Sequence, residues 1–309
     1  MKILNLHHKI NGNNWDIMLK GSDKMEANKG KNPQWYPGHM AKTKREVSEK
    51  IDLIDVVIEI IDSRIPLSSK NKDIDNLIKN KPRILVMTKK DLCDLNKTLE
   101  WKKYYEELGY NVILIDLLKD NTNEIINVIS KYNKELNEKR KLKGLKDRKI
   151  RVLVLGIPNV GKSTLINRLV NKKATNVGNK PGITKNLQWI RVNNDIELLD
   201  TPGILWPKLD NYDISHNLAS MTAIKEEILD KEEIAIYIIE KMLKYYPDNI
   251  KSRYNLSNEE DIVDILDSIG KKIGAFRNGE TDYEKVYQVV MKDLKDGYLG
   301  QVTFDWRDE

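Results

Sequence analysis

The stretch "IRVLVLGIPNVGKSTLINRLVN" at 150–171 constrains the fold more than any other part of this 309-residue chain. Its first six residues are mostly apolar and read as a strand buried on both faces. "GIPNVGKS" at 156–163 then matches G-x-x-x-x-G-K-[ST], and an apolar, helix-forming run follows. Strand, glycine-rich loop and helix in this order make a phosphate cradle. The glycines let backbone N–H groups converge on phosphate oxygens, and the helix N-terminus adds its dipole. The candidate phosphate-binding positions are Asn159, Val160, Gly161, Lys162, Ser163 and Thr164. Lys162 has the reach and charge for the β- and γ-phosphate oxygens, and the Ser163 hydroxyl is a Mg²⁺ ligand candidate.

Three further segments complete a nucleotide-site reading. "LLDTPG" at 198–203 is an apolar strand ending in an acid and a turn, 37 residues beyond Ser163 at Asp200. Asp200 is placed to hold Mg²⁺ directly or through water, and the Gly203 N–H to sense a γ-phosphate. "KPGIT" at 180–184 offers Thr184 as a second Mg²⁺ ligand. "TKKD" at 88–91 follows the apolar run "RILVM". Within it, Thr88, Lys89 and Asp91 are candidates for guanine binding. The Asp91 carboxylate can accept from guanine N1–H and the 2-amino group, which adenine does not offer together, and the Lys89 stem can lie along the base. Alone, TKKD would read equally well as a turn whose Asp caps the next helix. Three phosphate motifs in the same chain favour the base-reading role.

The remaining pattern places these loops on an α/β framework. "VVIEII" (56–61), "RILVM" (83–87) and "NVILI" (111–115) are short apolar runs of strand character. "KDIDNLIKN" (72–80), "TLEWKKYYEEL" (98–108) and "TNEIINVISKYNKEL" (122–136) have helical spacing. "LQWIRV" and "IELL" read as a hairpin joined at "NND". Alternating strands and helices predict a mostly parallel sheet covered on both faces. Beyond Trp206-Pro207 the strands cease, and three amphipathic helices are expected in 232–297. The expected organisation is a polar, flexible leader at 1–31, an α/β domain at 32–206 and an all-α domain at 207–309.

Charge is unevenly spread along the chain. The net formal charge is +6, but residues 1–204 carry +14 and residues 205–309 carry −8. Ten basic and three acidic side chains crowd into 131–151. Such a surface suits a polyanion, RNA first, although charge runs also occur as plain solvated linkers. No apolar stretch approaches the roughly 20 residues of a membrane span. The first 31 residues lack a signal-peptide apolar region. One cysteine, Cys93, precludes an intramolecular disulfide and fits a reducing compartment. These features point to the cytoplasm.

The order of the motifs is the unusual feature: base reading (88–91), phosphate loop (156–163), Thr184, then DTPG (200–203). It is a circular permutation of the order in Ras-like GTPases. With "WYPGHMAK" (35–42), "DSRIP" (62–66) and "DTPGILWPK" (200–208), the chain closely resembles the ribosome biogenesis GTPase A family, the YlqF-like circularly permuted GTPases. The resemblance covers roughly 33–309. It implies a circularly permuted Ras-like GTPase domain followed by an all-α C-terminal domain. It also implies GTP hydrolysis, slow alone and stimulated by the ribosomal particle, with GTP and GDP as substrate and product and Mg²⁺ as cofactor. The implied role is assembly of the large (50S) ribosomal subunit. The partners would be that subunit and its rRNA, with no membrane and a monomeric chain.

The resemblance also bears on catalysis. No Gln occurs in 201–216 to orient an attacking water, and Ile204 follows the DTPG turn. The family implies instead the His of its Trp-x-Pro-Gly-His motif, which falls at His39. It further implies K⁺ beside the phosphates, held by Asn159. His7, His8 and His216 lack motif context and read as surface residues. Two departures from the family stand out. The leader is long, and Leu117 occupies the place of a small hydroxyl residue in the fifth nucleotide motif, "IDLLKD" (115–120). Because the permuted chain runs on directly from DTPG, nucleotide state is expected to set the angle of the helical domain. Two other classes of function fit the same residues: an RNA-binding scaffold with structural GTP, and a GTPase switch for a non-ribosomal partner.

Overall fold

A computed structural model of the chain describes residues 38–78, 81–170, 187–204, 211–224, 229–257 and 261–307. Six strands form one sheet: β1 (Val56–Asp62), β2 (Arg83–Thr88), β3 (Asn111–Leu114), β4 (Ile150–Gly156), β5 (Gln188–Arg191) and β6 (Ile196–Asp200). The spatial order is β3-β2-β1-β4-β6-β5. All neighbours are parallel except β5 and β6, the expected hairpin. Central β1 is buried along its whole length because both sheet faces are covered. The acid within it, Glu59, is buried too and lies 3.1 Å from the Arg83 guanidinium on the adjacent strand.

Helices α1 (Gly38–Lys50), α2 (Lys72–Ile78), α3 (Leu95–Glu107), α4 (Asn123–Lys141) and α5 (Lys162–Val170) accompany this sheet. Helix α3 begins three residues before the apolar pattern suggests. Asp94 caps it, accepting from the N–H groups of Asn96 and Lys97 at 3.0 and 3.2 Å. Helix α4 continues to Lys141, so the first part of the basic run is helical. Lys139, Arg140 and Lys141 in its last turn face the negative end of the helix dipole. The chain then turns back and is pinned where Arg148 pairs bidentately with Asp55 at 2.6 and 2.8 Å, ahead of β4.

The later part of the chain holds α6 (Tyr212–Ser220), α7 (Lys231–Tyr245), α8 (Pro247–Tyr254), α9 (Ile262–Ile273) and α10 (Tyr283–Lys295). It is not purely helical: Phe276–Arg277 (β7) and Glu280–Thr281 (β8) pair as a small antiparallel hairpin. Positive φ at Asn278 (54°) and Gly279 (89°) makes this an Asn-Gly hairpin turn, a signal too short to register against the helices around it. His216, read from sequence as a surface residue, is buried on α6. Its ring packs 3.8 Å from that of Tyr212 and 5.0 Å from that of Tyr237, centroid to centroid. Its Nδ1 lies 2.7 Å from the Tyr212 carbonyl and its Nε2 3.1 Å from Glu233. Aromatic packing with two polar neighbours explains the placement.

One apolar cluster runs from the sheet into the helices, taking in Val154 and Leu198 together with Ile238, Val290 and Phe304. A second lies on the other sheet face around Val57, Leu155 and Ile204.

Candidate nucleotide site

The C-terminal ends of β1, β2, β4 and β6 open onto the same edge of the sheet, where open α/β sheets carry their ligands. The phosphate loop leaves β4 there. Gly161 has φ +98°, and a Cβ on it would meet the Leu117 side chain at 2.9 Å, so only glycine fits. Asn159 also adopts a left-handed conformation (φ 61°), and its side-chain amide donates to the Thr222 carbonyl at 2.6 Å. Lys162 is buried, its ammonium donating to the carbonyls of Gly156 (3.1 Å) and Ile157 (2.7 Å) within its own loop. Ser163 and Thr164 follow it in the first turn of α5. Val160 is buried beneath the loop.

The DTPG segment arrives from β6. A Cβ on Gly203 would sit 2.7 Å from the Pro158 nitrogen, so this glycine permits the two loops to touch. The Ile204 N–H donates to the Gly156 carbonyl at 3.2 Å, and Thr201 donates to the Val154 carbonyl at 2.8 Å. Asp200 is fully buried, and among the described residues no group meets either carboxylate oxygen at good hydrogen-bond geometry. Burial pushes its pKa up to about 6 against the opposing pull of Lys162. Burial likewise pushes Lys162 down, with Asp200 opposing. An orphaned, buried carboxylate at the edge of a phosphate loop is a donor waiting for a cation. Asp200 with the Ser163 hydroxyl therefore fits Mg²⁺, which would neutralise phosphate oxygens there.

The TKKD loop leaves β2. Thr88 is buried, and its hydroxyl points at the Val160 carbonyl of the phosphate loop (2.6 Å) and the Ile61 carbonyl of β1 (3.1 Å). Lys89 has φ 59°, and its ammonium donates to Asp62 at 2.8 Å. Asp62 also takes two bonds from the Arg64 guanidinium, at 3.0 and 2.8 Å. Burial acts to raise the Asp62 carboxyl, but Arg64 and Lys89 hold it well below the usual carboxylate range. The fifth-motif loop closes the far side. Arg168, on the phosphate-loop helix, donates to the carbonyls of Leu117 (2.7 Å), Leu118 (3.1 Å) and Asp120 (2.5 Å). Lys90 reaches the Asp120 carboxylate at 3.3 Å. Leu117 is buried, and its methyl group packs at Gly161.

The structure thus brings together residues 159–164, Asp200, Gly203, Thr88, Lys89 and Asp91. Thr184 lies outside the described residues. His39 is the second residue of α1, and its side chain lies outside them as well. Sequence reasoning missed Arg168, which in sequence looks like any helix-surface arginine. It also left Asp62 and Arg64 as letters of a motif without a task. Among the described residues no helix is long and apolar enough to cross a membrane.

Known proteins place this geometry. A family model described as 50S ribosome-binding GTPase matches residues 151–274, and one described as RsgA GTPase matches 77–210. The chain is 46% identical over 279 residues to ribosome biogenesis GTPase A of Bacillus cereus, covering 89% of this chain and 94% of that one. The chain belongs to the ribosome biogenesis GTPase A family. The family member of Priestia megaterium is 44% identical, with 88% and 96% covered. The fold matches GDP-bound YlqF with a TM-score of 0.65 at 23% identity, covering 86% of this chain and all of that one. The family's circularly permuted GTPase fold accounts for the motif order, the mostly parallel sheet and the helical region that follows it.

Proposed function

We propose that the chain is a GTPase that assists assembly of the large (50S) ribosomal subunit and binds the subunit's RNA in a nucleotide-controlled way. The observation that carries the GTPase half is the meeting of the 88–91 loop with the phosphate loop through Thr88, with Asp200 and Lys162 buried beside each other at the same edge. The ribosomal half rests on the family and on the basic surface: Lys139, Lys141, Lys143 and Lys146 are exposed where α4 ends and the chain turns back. Phosphate contacts from such a patch give salt-sensitive binding. The cytoplasm is the compartment this role requires.

Within the reaction, the chain's own groups divide the work. Lys162 leaves its two loop carbonyls to neutralise β- and γ-phosphate oxygens, and Mg²⁺ at Asp200 and Ser163 supplies the second positive charge. We assign Thr184 to the same ion and Asn159 to a K⁺ beside the phosphates. His39 orients the attacking water, since the apolar Ile204 cannot. The movement that reports hydrolysis starts at Gly203, which touches Pro158, and passes along the continuous chain to α6. We take 32–206 and 207–309 as the two parts that this movement connects.

Co-sedimentation with purified 50S subunits, with GDP and with a non-hydrolysable GTP analogue, tests this reading. Binding should be stronger with the analogue and should weaken steeply with salt. GTP turnover should rise when subunits are added, and His39→Ala should bind both nucleotide and particle yet lose most of that stimulation. Equal binding in both nucleotide states with no stimulation would leave an RNA-binding scaffold as the better account.

A further inference from the structure

The loop that carries TKKD is gripped from outside the sheet. Residues 301–305 return from the helical region and run past the loops that follow β1 and β2. The Gln301 side-chain amide donates to the Asp91 carbonyl at 3.0 Å, and the Val302 N–H donates to the Leu92 carbonyl at 3.1 Å. The Thr303 hydroxyl sits 3.2 Å from that of Thr98 and 3.4 Å from the Asp94 carbonyl. The Phe304 N–H donates to the Arg64 carbonyl at 2.7 Å, and Phe304 itself is buried. Asp305 ends the grip. Its buried carboxylate accepts from the Ser68 N–H and hydroxyl, both at 2.7 Å, and from Asn217 of α6 at 2.8 Å.

Tyr246 adds a second hold from the same side. Its hydroxyl lies 3.1 Å from one Asp94 oxygen, while the other Asp94 oxygen caps α3. It also receives the Thr303 N–H at 3.0 Å and lies 3.2 Å from the Thr303 carbonyl. Thus Asp91, Leu92 and Asp94, three residues of one short loop, are each bonded to residues from the far part of the chain. Within the loop two bonds close on its own carbonyls, the Leu92 N–H to Lys89 at 3.0 Å and the Cys93 thiol to Lys90 at 3.3 Å. A loop with so little internal bonding takes its shape from what holds it.

We propose that Tyr246 and the 301–305 segment are positioning elements for guanine recognition. They hold the 88–94 loop so that the Asp91 carboxylate meets the base, and so set both nucleotide release and the preference for a 2-amino purine. This rests on the guanine-site reading of TKKD. It also makes base affinity depend on the helical region: whatever pulls that region away from the sheet weakens guanine binding, and bound guanine nucleotide resists the pull to the same extent.

Tyr246→Phe removes the hydroxyl that touches Asp94 and Thr303, and Gln301→Ala removes the bond to the Asp91 carbonyl, neither emptying the core. They are compared, singly and together, with the wild type and with Val290→Ala, a core change on α10. Release of a fluorescent GDP analogue is timed, and GTP is competed against ITP, which lacks the 2-amino group. Each strap variant should release GDP about three- to tenfold faster, the yield of one hydrogen bond, and the GTP-over-ITP preference should fall with it. Val290→Ala should lower Tm and leave the preference alone. If the double variant keeps wild-type release and preference, or if Val290→Ala shifts the preference as much, the proposal fails by itself. A wild type with no preference for GTP over ATP would instead overturn the guanine reading, and the proposal with it.

Discussion

The two halves of the nucleotide site are built in opposite ways. At the base end, the Asp62 carboxylate, the Lys89 ammonium and the Thr88 hydroxyl are already partnered. Lys89 and Arg64 share Asp62, Thr88 bonds into the phosphate loop, and the loop backbone is held from the helical region. At the phosphate end, Asp200 is buried with both oxygens unpartnered among the described residues, and Lys162 turns back onto its own loop. A buried charge left without a partner costs stability that a ligand can return. On the proposed reading, the base end would be shaped to recognise, and the phosphate end would change when a nucleotide and its metal arrive.

Lys162→Ala breaks this comparison most severely. It removes charged contacts to two phosphate groups, each worth about 1.5–3 kcal/mol, so GTP affinity should fall roughly 100- to 10,000-fold. Isothermal titration measures it, and wild-type binding would contradict the phosphate-loop assignment. Asp91→Asn tests the shaped end. Losing the carboxylate acceptor should cost about 2–4 kcal/mol, or roughly 30- to 1,000-fold for GTP, with affinity gained for XTP, whose 2-carbonyl accepts. Competition among GTP, XTP and ATP decides it. Asp94, not Asp91, caps α3, so unchanged preference would reduce TKKD to a plain turn.

The smallest expected effect sharpens the contrast in the nucleotide-free protein. The folded-state pKa of Asp200 is raised to about 6, so the folded chain holds that proton more tightly than the unfolded chain does. Its contribution to stability is therefore favourable at low pH and is lost as pH rises through about 6. Asp200→Asn should abolish this dependence and gain on the wild type in stability as pH rises through that value. Urea unfolding of both proteins between pH 5 and 8 gives the difference. A wild type that gains stability relative to the variant over that range would show that Lys162 already satisfies Asp200.

Much of this contrast was legible in the sequence, because local patterns carry it. The buried strands 56–61 and 150–155 stand out as apolar runs, and GIPNVGKS, TKKD and DTPG each fix a loop within a few residues. What escaped is non-local or short. Asp94 looks like a turn residue until it is seen capping α3. Helices α6 and α8 have eight or nine residues, too few for a clear period. His216 is buried by Tyr212 and Tyr237, whose arrangement around it depends on how α6 meets α7. Residues 301–305 have neither period nor motif. Their task is defined only by partners far up the chain.

That distance has a consequence for how a new molecule becomes competent. The Gln301–Asp91 contact closes a loop of 210 residues, and the Asp305–Ser68 contact one of 237. Contacts of such long separation form late, because the chain must give up the freedom of everything between before they bring any return. The phosphate loop, by contrast, is tied across shorter separations, 72 residues to Thr88 and 63 to Thr222. During folding there is then an interval in which a chain can already cradle phosphates but cannot yet tell one purine from another. Discrimination, on this account, is the last property the molecule acquires.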